Sequence, residues 1–171
     1  MKKFVAALAV VPLVFSLAAC GSSSNGNGDS KKITIGVVGN ETANQVLKDE
    51  AAKQGITIEY SEFTDYAQPN PAVDAGDNDM NRFQHIAYLA NYNVSSGKDL
   101  QIVGSTNIYP MAIFSKKHKK VDEIPQGGTI AIPNDSVNEA RALLLLKAQN
   151  LVTFKSEVHT PTHNDIDTGK S

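Results

Sequence analysis

The residues best suited to bind a small charged ligand lie at the start of a helix predicted within residues 132–146. This stretch reads as a strand end, a turn, and then a polar helix start that becomes wholly apolar. Asn138 and Arg141 are three residues apart, so they share one face of that helix. An Arg guanidinium beside an amide, close to free backbone N–H groups, can hold a carboxylate. The alternative is that Arg141 is a solvated surface residue on an ordinary amphipathic helix.

The same helix carries its own start signals and an anchor. Either Asp135 or Ser136 can cap it by accepting a hydrogen bond from a free backbone N–H. Glu139 lies in the first turn, where negative charge suits the helix dipole. The four leucines at 143–146 must bury against other elements. Their burial would fix the helix and aim its two polar side chains.

A β–α–β pattern opens the region that must support this helix. Residues 32–39 and 56–60 read as strands, and residues 42–54 between them read as a helix. Such a unit implies a parallel sheet covered by helices. Ligands of α/β proteins usually bind at the carboxyl edge of the sheet, and Tyr66, which follows the second strand, is expected there.

Further elements are predicted downstream. A brief strand at 80–83 leads to a helix at 86–97, and three more strands are predicted at 100–105, 111–115 and 129–132. The basic run at 116–120 is interpreted as a solvated turn, with a docking patch as the alternative.

The N-terminus predicts export and a lipid anchor. Two lysines precede an apolar run at 4–17, which is too short to span a membrane comfortably. The run leads into Ala18-Ala19-Cys20, which resembles a bacterial lipobox, whose cysteine is diacylated and becomes the first mature residue. The alternative is a plain secretory signal with a chance cysteine. We therefore predict a signal peptide at 1–19, a lipidated Cys20 with a flexible tether at 20–31, and a body on the extracytoplasmic face of the cell membrane.

Composition and missing motifs exclude several function classes. The 171 residues are 41% hydrophobic and 20% charged, and the net charge of −2 argues against nucleic-acid binding. His159 and His163 are four residues apart, but Pro161 between them argues against a helix that would pair them as metal ligands. Neither a GxSxG elbow nor a nucleotide-binding glycine motif is present. We therefore predict no enzyme activity, metal or cofactor.

Taken together, the motifs resemble those of the methionine-binding lipoproteins of bacterial ABC importers, the NlpA type. The likeness runs from the lipobox to about Leu151 and rests on an ordered set of short motifs. They are Phe63-Thr64-Asp65-Tyr66, Phe83-Gln84-His85, Tyr109-Pro110-Met111, Ser115-Lys116-Lys117, and Pro133-Asn134-Asp135 followed by Arg141 and the leucines.

The resemblance implies an α/β fold of the periplasmic-binding-protein type (type II), with two lobes that close on a free amino acid. Residues 32–110 would form the first lobe and residues 111–171 part of the second. Members of the family are longer, so the chain is expected to end inside the second lobe, before the part that supplies a further ligand-gripping asparagine.

The resemblance also implies roles for five residues. Tyr66, Phe83 and His85 would wall in a methionine side chain, while Asn138 and Arg141 would hold the carboxylate. Aromatic faces attract polarisable sulfur, which agrees with this assignment. Arg82 departs from the family pattern, and we expect it either to alter the pocket beside Phe83 or to point outward.

The expected function is that of a membrane-anchored solute-binding lipoprotein. It would capture L- or D-methionine, or a related small amino acid or peptide, for an ABC importer whose permease and ATPase are other chains. The alternative is a truncated surface lipoprotein that no longer binds a ligand.

Overall fold

A three-stranded parallel sheet is the centre of the fold. The computed structural model describes residues 31–39 and 41–169. The strands β1 (Lys31–Val38), β2 (Ile56–Phe63) and β3 (Met80–Arg82) lie in the order β2-β1-β3. Both neighbours run parallel to the central strand β1. The parallel sheet expected from the β–α–β pattern is therefore confirmed, and its β1 begins at the last residue of the predicted tether.

Alternating side chains of β1 build the core. Ile35 and Val37 point to one face, where they pack with Ile58 of β2 and Ala51 of the first helix, since these four residues form one buried cluster. Gly36 lies between them and points to the other face. A Cβ on Gly36 would come within 3.0 Å of the Phe63 ring and 3.1 Å of the Asn78 amide, so no larger side chain fits there without a shift.

Among the described residues, four α-helices surround or follow the sheet. They are α1 (Thr42–Ala52), α2 (Pro69–Asp74), α3 (Ile86–Ser96) and α4 (Ser136–Ala148), and two short 3-10 turns lie at Val121–Glu123 and His163–Asp165. The predicted helix at 86–97 is thus observed, and Gly97 ends it in the left-handed conformation that glycine adopts without strain. None of the described helices is both long and apolar enough to cross a membrane.

The strands predicted at 100–105, 111–115 and 129–132 do not form. These stretches have no regular secondary structure, and residues 101–110 are all exposed, with Ile108 at 93%. Short apolar stretches favour strands, but a strand also needs a neighbour that pairs its N–H and C=O groups. In the described part of the chain no strand pairs with these stretches.

Helix α4 is anchored by half of its leucines. Leu143 and Leu146 are buried, together with Ala140 and Ala142, whereas Leu144 is 39% exposed. The helix packs against α3, which belongs to the sheet-containing half of the chain. The predicted anchoring of the helix is confirmed. The expectation that all four leucines are buried is wrong, since Leu144 is exposed.

The chain after α4 is more ordered than its sequence pattern indicates. Phe154 and Ile166 form an antiparallel bridge, and Pro161 is fully buried. The predicted signal peptide and Cys20 lie outside the described residues.

Candidate functional site

The candidate residues from the two halves of the chain meet at His85. This residue caps the start of α3, where its Nδ1 accepts a hydrogen bond from the backbone N–H of Tyr88 at 3.2 Å. In a neutral imidazole the ring proton is then on Nε2. That nitrogen lies 2.9 Å from Oδ1 of Asn138 in α4, to which it can donate. His85 therefore joins the first-half aromatic residues to the start of α4.

His85 is part of an aromatic cluster that forms one side of the candidate site. The ring of Tyr66 stacks on Phe83 with a centroid distance of 6.0 Å and an interplanar angle of 27°. Tyr88 meets Tyr66, Phe83 and His85 edge-on, at centroid distances of 6.4, 5.7 and 6.3 Å. Edge-on and offset arrangements are those that aromatic pairs prefer. Tyr66 is 50% exposed, so this aromatic cluster (Tyr66, Phe83, His85 and Tyr88) has an open face that a ligand can approach.

Tyr88 is a member of the site that sequence reasoning missed. Its hydroxyl donates a hydrogen bond to the backbone carbonyl of Tyr66 at 3.0 Å, which ties helix α3 to the loop that carries Tyr66. Burial raises the pKa of the Tyr88 phenol, and the negative charges of Asp135 and Asp65 raise it further. The phenol therefore stays protonated and remains a donor. Its spacing, one helical turn after His85, was the available signal.

Polar residues at the start of α4 form the other side. Asp135 is the helix cap and accepts from the backbone N–H of Asn138 at 2.9 Å, which decides between the two predicted caps. Both carboxylate oxygens of Asp135 also accept from the Asn138 side-chain amide, at 3.1 and 3.0 Å. These bonds turn Oδ1 of Asn138 towards Arg141, whose Nη1 donates to it at 2.8 Å. Asp135 thus orients the amide that His85 and Arg141 share.

Arg141 has no acidic partner in the described part of the chain. Its side chain is half-buried, and its guanidinium makes a single hydrogen bond there, to Asn138. A guanidinium carries a planar set of N–H donors that matches a carboxylate in a bidentate pair. Most of this donor set is therefore available to an acidic ligand.

A buried amide network supports the loop that carries Phe83 and His85. Gln84, which lies between them, exchanges hydrogen bonds with Asn70 at 2.9 and 2.6 Å. Asn81 donates to the same Asn70 oxygen at 2.8 Å. Asn70 is 1% exposed, and no buried side-chain polar atom lacks a partner among the described residues. Satisfied buried networks of this kind hold a loop in one conformation.

Arg82 lies next to Phe83 but is directed to the start of α1. It donates to Glu41 at 2.9 Å, to Asn44 at 2.7 Å and to Asn107 at 3.0 Å. The side chain is 13% exposed, so the expectation that it points outward is wrong. The ion pair with Glu41 compensates its charge and explains how it can be buried.

Other features of the described residues do not add to the site. No group of three His, Cys, Asp or Glu side chains is placed to hold a metal ion there. A cavity of about 460 Å³ lies between the end of α4 and Phe154 and contains none of the candidate residues. It is open to solvent and lined by Lys147 and Phe154, away from the candidate residues gathered at His85, so we place the candidate site at His85.

The fold is α/β and of the periplasmic-binding-protein type, with two lobes in its complete form. Its first lobe is largely present and its second lobe is present in part. A nutrient-binding protein from Burkholderia cenocepacia, solved with methionine bound, superimposes with a TM-score of 0.73 at 38% identity, over 78% of this chain and 58% of that one. The substrate-binding protein of a methionine transporter from Streptococcus pneumoniae gives a TM-score of 0.70 at 38% identity, over 79% of this chain and 56% of that one.

Sequence comparison leads to the same class. Residues 33–170 match the model of the family described as NlpA lipoprotein. The D-methionine-binding lipoprotein MetQ of Escherichia coli K12 is 40% identical over 171 residues, which cover 96% of this chain and 62% of that protein. Outer membrane lipoprotein 3 of Mannheimia haemolytica is 42% identical over 137 residues, covering 77% of this chain and 51% of that protein.

The chain therefore belongs to the NlpA lipoprotein family, as the motifs indicated. This family consists of substrate-binding proteins of transporters and not of enzymes. The chain spans between half and two thirds of the length of the relatives described above.

Proposed function

We propose that this chain is a membrane-anchored solute-binding lipoprotein that captures methionine, in its L or D form, for an ABC importer. A related small amino acid or a methionine-containing peptide would fit the same chemistry. The observation that carries the proposal is the environment of Arg141. Its half-buried guanidinium has no acidic partner in the described structure and bonds to Asn138, which in turn contacts His85 of the aromatic cluster.

The two sides of the site would bind the two ends of the ligand. Arg141 supplies donors for the carboxylate, while Asn138, whose side-chain amide donates to Asp135, accepts from Arg141 and orients its guanidinium. Tyr66, Phe83 and Tyr88 supply ring faces and edges for the thioether. Each sulfur–aromatic contact contributes about 0.3–1.5 kcal/mol, so the rings select the side chain while the charge pair fixes its orientation.

The remaining parts of the proposal concern anchoring and delivery. Cys20 would carry the lipid, residues 1–19 the export signal, and the body would stand on the extracytoplasmic face, with the lobe boundary near residue 110. The permease and the ATPase would be separate chains. The lipobox supports the anchor, and the methionine transporter of the S. pneumoniae relative supports delivery to a transporter.

Isothermal titration of the full chain, purified in mild detergent, tests the binding proposal. We expect heat with L- or D-methionine, weaker binding of norleucine, which lacks the sulfur, and no binding of methioninol, which lacks the carboxylate. Absence of heat with both methionine enantiomers at millimolar concentration would overturn the proposal and leave a lipoprotein that does not bind this ligand.

Membrane fractionation tests the anchor separately. A Cys20→Ser chain should move from the membrane fraction to the soluble fraction. Retention of that variant in the membrane would contradict lipid anchoring at Cys20 without touching the ligand proposal.

A further inference from the structure

We infer that Arg82 is a positioning residue that fastens a linking segment of the chain to the sheet and so keeps the two sides of the ligand site together. The linking segment is defined here as residues 101–110. The inference rests on the proposed function for its effect on ligand affinity, while the contact itself stands on geometry.

The base of this contact is rigid. Arg82 ends β3, next to Phe83 of the aromatic cluster, and its guanidinium is held by Glu41 and Asn44 at the start of α1. Asn44 is buried, and the Arg82 side chain is largely buried as well. A planar guanidinium with two such acceptors has little freedom left, so its third bond is directed by the first two.

The third bond reaches the linking segment. Nη2 of Arg82 donates to Oδ1 of Asn107 at 3.0 Å, and the hydroxyl of Tyr109 lies 3.5 Å from the same Glu41 oxygen that pairs with Arg82. From residue 102 to 110, these are the only hydrogen bonds that the described structure gives between the linking segment and the rest of the chain. Because every residue of the segment is exposed, apolar burial cannot hold it in place.

The position of the linking segment has a consequence for the site. The chain passes through it on the way from α3, which begins after His85, to α4, which carries Asn138 and Arg141. If the segment is held at Arg82, the residue before Phe83, fewer arrangements of α4 relative to the aromatic cluster are accessible. A site that is already ordered loses less entropy when a ligand binds, so the contact raises affinity without touching the ligand.

A spin label provides a test that needs no ligand. Ile108 is 93% exposed, so a nitroxide on Ile108→Cys, in a Cys20→Ser background, reports motion of the segment with one labelled site. We expect Arg82→Met and Asn107→Ala each to sharpen the spectral lines, because the segment moves faster. Lys98→Met, which breaks the separate Lys98–Asp74 pair, should leave the lines unchanged. Unchanged lines in Asn107→Ala would overturn the inference, and that exposed substitution avoids any loss of folding from Arg82→Met.

A double-mutant cycle on methionine affinity tests the functional step. We expect Arg82→Met and Asn107→Ala each to weaken binding by about 3–10-fold, with the double variant no weaker than Arg82→Met alone. Additive losses would overturn the inference, since they would mean that Arg82 acts without Asn107. If the parent chain does not bind methionine, the proposed function fails, while the spin-label result still decides whether Arg82 holds the segment.

Discussion

Two arginines lie near the ends of the proposed ligand site, and they have opposite surroundings. Arg82 is enclosed by Glu41, Asn44 and Asn107, so its charge and several of its donors are used inside the protein. Arg141 bonds only to the amide of Asn138 in the described structure and faces no carboxylate. The same side chain is therefore satisfied internally at one place and left available at the other.

The surroundings of an arginine indicate whether its charge is compensated within the chain or is available to an external anion. A buried cation needs an anion nearby, because the cost of removing it from water is otherwise large. Arg82 has that anion in its own chain. Arg141 is half-buried and lacks one, which points to an anion supplied from outside.

Removing each arginine in turn tests the contrast between their surroundings. Arg141→Met should weaken methionine binding by at least ~100-fold, because it deletes the cation that is proposed to pair with the ligand carboxylate. Its free energy of unfolding should change by less than about 1 kcal/mol, since one hydrogen bond is lost. Titration calorimetry and urea unfolding measure the two effects. An affinity within threefold of the parent would return Arg141 to the role of a surface residue.

A second variant makes Arg141 resemble Arg82. Asn138→Asp places a carboxylate where Oδ1 of Asn138 now accepts from Arg141, so the guanidinium gains an internal partner. We expect methionine affinity to fall by about 10–100-fold, because the ligand must compete with that carboxylate. Asn138→Ala is the matched control, and it should lose less affinity because it adds no charge. Equal losses in the two variants would contradict the idea that an internal anion blocks the site.

Removing Arg82 should have the opposite balance of effects. Arg82→Met leaves the buried oxygen of Asn44 without its donor, at a cost of about 1–3 kcal/mol in the free energy of unfolding. Urea unfolding measures this loss. Lys98→Met, which breaks an exposed ion pair with Asp74, is the control and should destabilise the chain less. Equal destabilisation by the two substitutions would mean that the Arg82 cluster stabilises the fold no more than a surface pair does.

The smallest effect on stability is expected at Glu139, in the first turn of α4. Hydrogen bonds from the His163 side chain and backbone lower the pKa of Glu139 below its ordinary value of 4.5. A lowered carboxyl pKa contributes stability above the unfolded pKa, and the contribution is lost as pH falls through the folded value. The parent should therefore be slightly more stable than Glu139→Gln at pH 6, and the gap should shrink below pH 4.5. A gap that does not depend on pH would exclude Glu139 ionisation as its source.

Much of the site could be predicted because its signals are local. A helix start at Asp135 or Ser136 and the one-turn spacing of Asn138 and Arg141 follow from helix geometry, which the next few residues determine. The structure then decides for Asp135 as the cap. The placement of Tyr66 after a strand follows from the parallel sheet. Tyr88 was missed although its spacing after His85 was visible in the sequence. Its place in the candidate site depends on the contacts of its ring with Tyr66 and Phe83, which helical spacing alone does not show.

The strands predicted between residues 100 and 132 show the limit of local signals. Their short apolar stretches are typical of strands, yet pairing with another segment decides whether a strand forms. Secondary structure that depends on a distant partner cannot be deduced from the stretch itself.

The β–α–β order, the capped helix and the ordered motifs that mark the family could be predicted from the chain, because each depends on near neighbours. Which arginine is paired depends on the fold. Arg82 meets Glu41 and Asn107, which are distant in sequence, while Arg141 meets no carboxylate among the described residues. Charge compensation depends on distances in space, and the fold sets those distances.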